Sequence, residues 1–221
     1  MSQTIAEQVA EMGKAAEGQQ QPPAMRVFAE EQAELRANGL PEGIAPVGSA
    51  MPDAELVDAL GAATSLSKAL SGAPAVVVLY RGMWCPFCNV ALGTYQRRLL
   101  PELEERGVKL VAISPQSPDN SLTMQQKNEL AFTVLSDEGN KVAVQLGVAI
   151  DPAAKVVAAQ RELGLDLTAI NADRTTALPM PTTVVVDADG VIRWIDVHPD
   201  YTTRSEVADI VAAVDAMLAA R

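Results

Sequence analysis

Runs of consecutive apolar residues alternate along this chain with stretches whose apolar positions recur every three or four residues. The run Ala75-Val76-Val77-Val78-Leu79-Tyr80 is β-branched and bounded by Pro74 and Gly82, which predicts a strand buried on both faces. From Asn89 to Arg106, Leu92, Tyr95, Leu99 and Leu103 fall on one helical face. Val108 to Ser114 predicts a second strand ending at Pro115, and Pro118 to Leu130 a helix with Ser117 as its candidate cap. Phe132 to Leu135 reads as a short strand, and Asn140 to Leu146 as a helix stopped by Gly147. Residues 148–180 form a long insertion, with a helix from Pro152 to Leu163 and a polar, proline-bearing stretch behind it. Thr182–Val186 and Val191–Val197 predict a hairpin around the turn Asp187-Ala188-Asp189-Gly190. A last helix from Ser205 to Leu218 carries Val207, Ile210, Val211, Val214 and Leu218.

Two helical stretches precede this body. Residues 3–16 place Ile5, Val9, Met12 and Ala16 on one face, Gly18-Gln19-Gln20-Gln21-Pro22-Pro23 breaks the pattern, and a second helix runs from Ala24 to Ala37 with Val27, Phe28 and Leu35 apolar. Asn38-Gly39 stops it. These stripes must bury on something, either the body of the same subunit or a second copy in a homodimer. The expected division is a helical extension over residues 1–44 and one domain over 45–221.

Composition narrows the partners. A net charge of −11 argues against nucleic acid and anionic membranes. No apolar stretch approaches a membrane span, and the first residues carry neither a basic segment nor an apolar signal core, so a cytoplasmic location is expected. No flavin, nicotinamide or metal motif is visible, so no cofactor is expected.

Only two cysteines occur in 221 residues, both in Trp84-Cys85-Pro86-Phe87-Cys88. They fall where the first predicted strand hands over to a helix N-terminus, where unpaired N–H groups and the helix dipole favour a thiolate. A thiolate attacks peroxides and disulfides, and the two-residue spacer lets one sulfur close on the other. A structural bridge would close too small a loop to stabilise so long a chain. Zinc lacks ligands, since His198 is the only histidine; two inert buried thiols are the remaining alternative.

The segment Tyr80-Arg81-Gly82-Met83-Trp84-Cys85-Pro86-Phe87-Cys88-Asn89 resembles the active-site segment of peroxiredoxin-like proteins of the alkyl hydroperoxide reductase/thiol-specific antioxidant group, within the thioredoxin superfamily. Pro46 to Pro52 with Leu66-Ser67, Val108 to Ser114, Phe132 to Asp137 and Pro181 to Asp187 resemble other segments of that family, so the likeness covers about residues 45–219. It implies an α/β thioredoxin-like fold: a central mixed sheet flanked by helices, here with an N-terminal helical extension. It also implies a cis Met180–Pro181 bond beside the dithiol, where Pro181 leaves backbone groups free for a substrate; an ordinary strand-opening proline is the alternative.

The family pattern Pro-x-x-x-Thr-x-x-Cys, aligned on Cys88, puts Cys85 at the threonine and Arg81 at the proline. Negative charge develops on both oxygens as a thiolate attacks a peroxide, so a cation or donor is needed. Arg81 is the nearest candidate and Arg193 the second, each with a surface salt-bridge role as the alternative. In the thioredoxin-type arrangement Cys85 attacks and Cys88 resolves; in the peroxidase-type alignment the roles swap. Cys85 is favoured because it stands earlier in the helix, and Trp84 is expected to shield the pair or to be an ordinary core residue. The expected activity is a thiol peroxidase acting on hydrogen peroxide or organic hydroperoxides and recycled by a thioredoxin- or glutaredoxin-type donor. The alternatives are a thiol–disulfide oxidoreductase acting on protein disulfides and a non-catalytic redox sensor.

Overall fold

A computed structural model describes residues 3–16 and 22–220. The glutamine-rich break expected at 18–21 lies outside the described residues. On either side of it run α1 (Ile5–Ala16) and α2 (Ala24–Asn38). A hairpin of β1 (Glu55–Asp58) and β2 (Ala63–Ser65) and the short α3 (Leu66–Leu70) lead into β3 (Ala75–Leu79) and α4 (Pro86–Thr94). A π-helical turn, Tyr95–Leu99, joins α4 to α5 (Leu100–Glu105). Then come β4 (Lys109–Ser114), α6 (Pro118–Lys127), β5 (Thr133–Ser136) and α7 (Lys141–Gln145). The insertion holds β6 (Ala149–Ile150), α8 (Ala154–Glu162), α9 (Leu167–Ile170) and β7 (Leu178–Pro179). The chain ends with β8 (Thr182–Val186), β9 (Ile192–Val197) and α10 (Val207–Ala219).

Seven strands form one mixed sheet in the order β2-β1-β5-β4-β3-β8-β9, while β6 and β7 make a separate ribbon. β3 and β5 run parallel to β4, and β8 is antiparallel to β3 and to β9. The central strands feed two cores by parity. Val76, Val78, Tyr80, Leu110, Ala112 and Val185 join one face; Ala75, Val77, Leu79, Val111, Ile113 and Val184 join the other. Burial on both faces is why these strands read as unbroken apolar runs. Both cysteines lie in the first core, with Tyr95, Leu103, Ile210 and Val214.

The long helix after the cysteines departs from plain α-geometry because Pro101 has no N–H and its ring crowds the carbonyl four residues back. Leu100 instead donates to the Tyr95 carbonyl, an i→i−5 bond. The turn holds Tyr95 fully buried, its hydroxyl donating to the Ser205 carbonyl at 2.7 Å. At α6, Ser117 occupies the cap position but makes no side-chain cap bond; its hydroxyl accepts from Asn120 Nδ2 instead.

Both leading helices pack on this chain's own body. Ile5 is fully buried in the cysteine-side core, and α1 is held at its N-terminus by Glu206, whose carboxylate accepts from the Ile5 and Ala6 N–H groups at 3.0 and 2.8 Å. Thr4 and Glu7 add a reciprocal capping box. α2 lies against α8 of the insertion and contributes Phe28 and Glu31 to a cavity shared with Leu163 and Leu165.

Candidate active site

β3 delivers the chain to a loop that several side chains pin in place. Gly82 adopts φ +146°, and a Cβ there would come within 2.5 Å of Trp84 Nε1, so only glycine fits. The Met83 N–H donates to Gln116 Oε1 at 2.8 Å, and Gln116 in turn donates to the Tyr80 hydroxyl. Asn89 reaches back from α4 to the carbonyls of Met83 and Cys85. Cys85 then occupies the N-cap of α4 in an extended conformation, with Pro86 opening the helix, where its missing N–H costs nothing.

The sulfurs are reduced and approach to 3.2 Å. Both are buried, at 1% exposure for Cys85 and 0% for Cys88. Arg204, on the segment between β9 and α10, places Nη2 3.0 Å from Cys88 Sγ and 3.8 Å from Cys85 Sγ. Burial opposes ionisation of Cys88, but the hydrogen bond from Cys85, the charge of Arg204, the Arg81 backbone N–H and the Arg204 hydrogen bond outweigh it and hold this thiol well below its usual range. Burial, the hydrogen bond that Cys85 gives to Cys88 and repulsion from the Cys88 charge push the Cys85 thiol well up. The pair is a dithiol in which Cys88 ionises first while Cys85 keeps its proton.

Arg204 is itself clamped. Its Nη1 donates to the Tyr201 carbonyl at 2.7 Å. On one side of it Thr203 Oγ1 meets His198 Nδ1 at 2.7 Å; on the other the Ser205 hydroxyl donates to Asp196 Oδ2 at 2.7 Å. His198 Nε2 closes the ring on the same Asp196 oxygen at 2.9 Å. The His198 hydrogen bond, aided by Ser205 and opposed by burial, holds the Asp196 carboxyl below its usual range.

The expected residues separate. Arg81 is buried rather than a surface ion pair: its guanidinium lies 4.0 Å from the Tyr201 ring centroid and 5.1 Å from that of Trp84. Arg193 forms the surface-type ion pair instead, with Asp187 at 2.6 Å, and does not meet the sulfurs. Trp84 is half-buried, stacks over Arg81 and walls a cavity together with Cys85. Pro181 is a correction. No cis peptide occurs among the described residues, so the Met180–Pro181 bond is trans. The chain runs extended through this point, Met180 N–H donating to the Val148 carbonyl beside the β6–β7 ribbon and the Pro181 carbonyl accepting from the His198 N–H, which leaves no reversal for a cis bond to make. Pro181 is not among the residues walling the Cys85 cavity.

Arg204 was not among the sequence candidates. It lies 116 residues from Cys88, in a stretch with no apolar period, and nothing local marks it as buried.

Comparison with known proteins agrees with the architecture. A family model described as the AhpC/TSA family matches residues 47–195. A putative peroxiredoxin Q, chloroplastic, from Oryza sativa subsp. indica is 32% identical over 148 residues, which is 67% of this chain and 57% of that relative's length. The crystal structure of peroxidoxin BcpB from Mycobacterium tuberculosis superposes with a TM-score of 0.59 at 22% identity, covering 77% of this chain and 97% of the other. Reduced Prx3 of Vibrio vulnificus in complex with hydrogen peroxide gives 0.63 at 18% identity, covering 77% and 99%. These likenesses show a thioredoxin-like fold, and with the family match over most of the body the chain belongs to the AhpC/TSA family of peroxiredoxin-like proteins.

Proposed function

We propose that this protein is a thiol peroxidase that reduces hydroperoxides at Cys85 and closes a Cys85–Cys88 disulfide. The observation that carries the reading is a buried guanidinium on a reduced dithiol: Arg204 within 3.0 Å of Cys88 and 3.8 Å of Cys85. A fixed cation in a water-poor site stores the thiolate charge before substrate arrives. Cys85 walls the cavity, whereas Cys88 lies fully buried behind it. The proton of Cys85 therefore passes to Cys88 along their hydrogen bond as Cys85 attacks.

The Cys85 thiolate gives its electron pair to the outer peroxide oxygen. An S–O bond forms, the O–O bond breaks, and the leaving oxygen takes a proton from solvent and departs as an alcohol or water. Cys85 is then a sulfenic acid. The Cys88 sulfur attacks it, expelling water and forming the disulfide, for which the sulfurs close from 3.2 Å to a bond of about 2.05 Å. A dithiol donor of thioredoxin or glutaredoxin type restores the reduced pair, and a cytoplasmic location suits that supply. Arg81, which lines the same cavity as Cys85, supports charge on the leaving oxygen.

The disulfide-exchange reading is supported by Cys85 standing at a helix N-cap. The trans Met180–Pro181 bond removes one of its supports. The test is stopped-flow oxidation of the reduced protein by hydrogen peroxide and by a model disulfide, for wild type, Cys85→Ser and Cys88→Ser. Peroxide reaction lost in Cys85→Ser and retained in Cys88→Ser, there slowed by loss of the proton acceptor, is expected. Reaction with the disulfide alone would overturn the peroxidase reading, and loss in Cys88→Ser only would transfer the attack to Cys88.

A further inference from the structure

The segment that carries Arg204 has no regular structure of its own. Between the end of β9 at Val197 and the start of α10 at Val207 the chain forms only bends and turns. The Nη1 contacts of Arg204 go to carbonyls of this same segment, Tyr201 and Thr203, and would move with it. The side-chain bonds of Thr203 and Ser205 lie at exposed or half-buried positions. A buried guanidinium on such a segment needs a fixed point on the core side.

Tyr95 supplies that point. Its ring is fully buried in the cysteine-side core, and its hydroxyl donates to the Ser205 carbonyl at 2.7 Å. Among the described residues no other donor meets this carbonyl. Burial pushes the phenol well above its ordinary value, so it stays a neutral donor wherever the thiols titrate. Ser205 directly follows Arg204, whose Nη2 lies 3.0 Å from Cys88 Sγ.

Helix geometry explains why the two contacts coincide. Cys88 and Tyr95 are seven residues apart, so they share one helix face about 10 Å apart along the axis. The Tyr95 N–H still donates to the Ala91 carbonyl, and the π-helical widening begins only at Tyr95. One regular rod therefore meets one loop twice. It presents a sulfur to the Arg204 side chain and a phenol to the carbonyl just behind it.

We propose that Tyr95 is a positioning residue for the dithiol: its hydroxyl fixes the Ser205 carbonyl and so holds the Arg204 guanidinium against the sulfurs. The helix that carries the cysteines thereby also sets the distance of their cation. The effect on peroxide reduction rests on the peroxidase reading above; the effect on thiol ionisation does not.

The experiment reads thiolate absorbance against pH and the second-order rate with hydrogen peroxide. It uses reduced wild type, Tyr95→Phe, Arg204→Met and the double variant. Tyr95→Phe keeps the ring that fills the core and removes only the hydroxyl, so the fold should survive. Its first thiol titration should move upward. Its peroxide rate at neutral pH should fall on the order of tenfold or more, as misplacement of a group by a distant change does. The lost rate should return as pH is raised through the shifted titration. In the Arg204→Met background Tyr95→Phe should add no further shift, because the residue acts through Arg204. Leu146→Ala, fully buried in the core across the sheet, should lower stability and leave the titration in place.

A titration unmoved in Tyr95→Phe or in Arg204→Met would overturn the proposal and leave the peroxidase reading standing. So would an equal further shift in the double variant, or a shift of the same size in Leu146→Ala. Reaction of wild type with a model disulfide but not with peroxide would overturn the peroxidase reading, and the titrations would still decide the role of Tyr95.

Discussion

Arg204 is the residue on which the chemistry of the site turns. With Nη2 at 3.0 Å from Cys88, its charge helps offset a burial penalty that would otherwise keep a fully enclosed thiol neutral. In the reduced protein, thiolate absorbance at 240 nm is expected to develop well below the ordinary thiol value of 9.0, with one sulfur titrating there and the other staying protonated beyond it. Cys88 ionises more readily folded than unfolded. Its contribution to stability is therefore present in full above 9.0 and is lost as pH falls through its lower folded value. Arg204→Met should move the first titration upward and slow peroxide reduction at neutral pH. Asp196→Asn, which weakens the clamp without touching a sulfur, should shift it the same way by less. A titration unmoved in Arg204→Met would mean that the helix N-terminus and the Cys85 hydrogen bond suffice.

Among the elements, α1 is held by a contact that spans the chain. Glu206, just ahead of α10, caps the first turn of α1 through two backbone N–H groups, so the residue that opens one helix tethers another about 200 residues earlier in sequence. A carboxylate there satisfies orphan donors and meets the positive end of the helix dipole. Glu206→Ala is expected to cost about 1 kcal/mol. Hydrogen exchange should rise in α1 well before it rises in β3 or β4, because the capping box of Thr4 and Glu7 cannot replace a tertiary tether. Equal protection in variant and wild type would show that Ile5 alone docks the helix.

At the scale of the molecule, the sheet separates two cores that meet only through its strands. Leu103 on the cysteine side and Leu146 on the other are both fully buried. Each truncation to alanine should cost about 2–5 kcal/mol, read as a shift of the urea midpoint. The double variant should be additive to within about 0.5 kcal/mol, since the sites share no neighbours. A larger coupling would show that the sheet transmits strain from one core to the other.

Much of this architecture was legible in local pattern. The strand at 75–80, the helix behind the cysteines, the 182–197 hairpin and the two leading helices each carry a period or turn signal that neighbours in sequence decide. The placement of two thiols at a strand-to-helix junction follows from the same signals. β1, β2 and α3 were missed because elements of three to five residues bury too few side chains to show a period. The insertion yielded α8 but not α9 or the β6–β7 ribbon, which are just as short.

What tertiary structure alone decided is what surrounds the sulfurs. An arginine is ordinarily a surface residue, and nothing near position 204 says that the fold carries it onto cysteines 116 residues earlier. The trans bond at Pro181 follows from an extended crossing between the β6–β7 ribbon and β8, a path set by strand pairing rather than by the dipeptide. The half-hidden faces of α1 and α2 were plain in sequence, but their partners were not. A hydrophobic stripe records that something must cover it, and only the folded chain supplies what does.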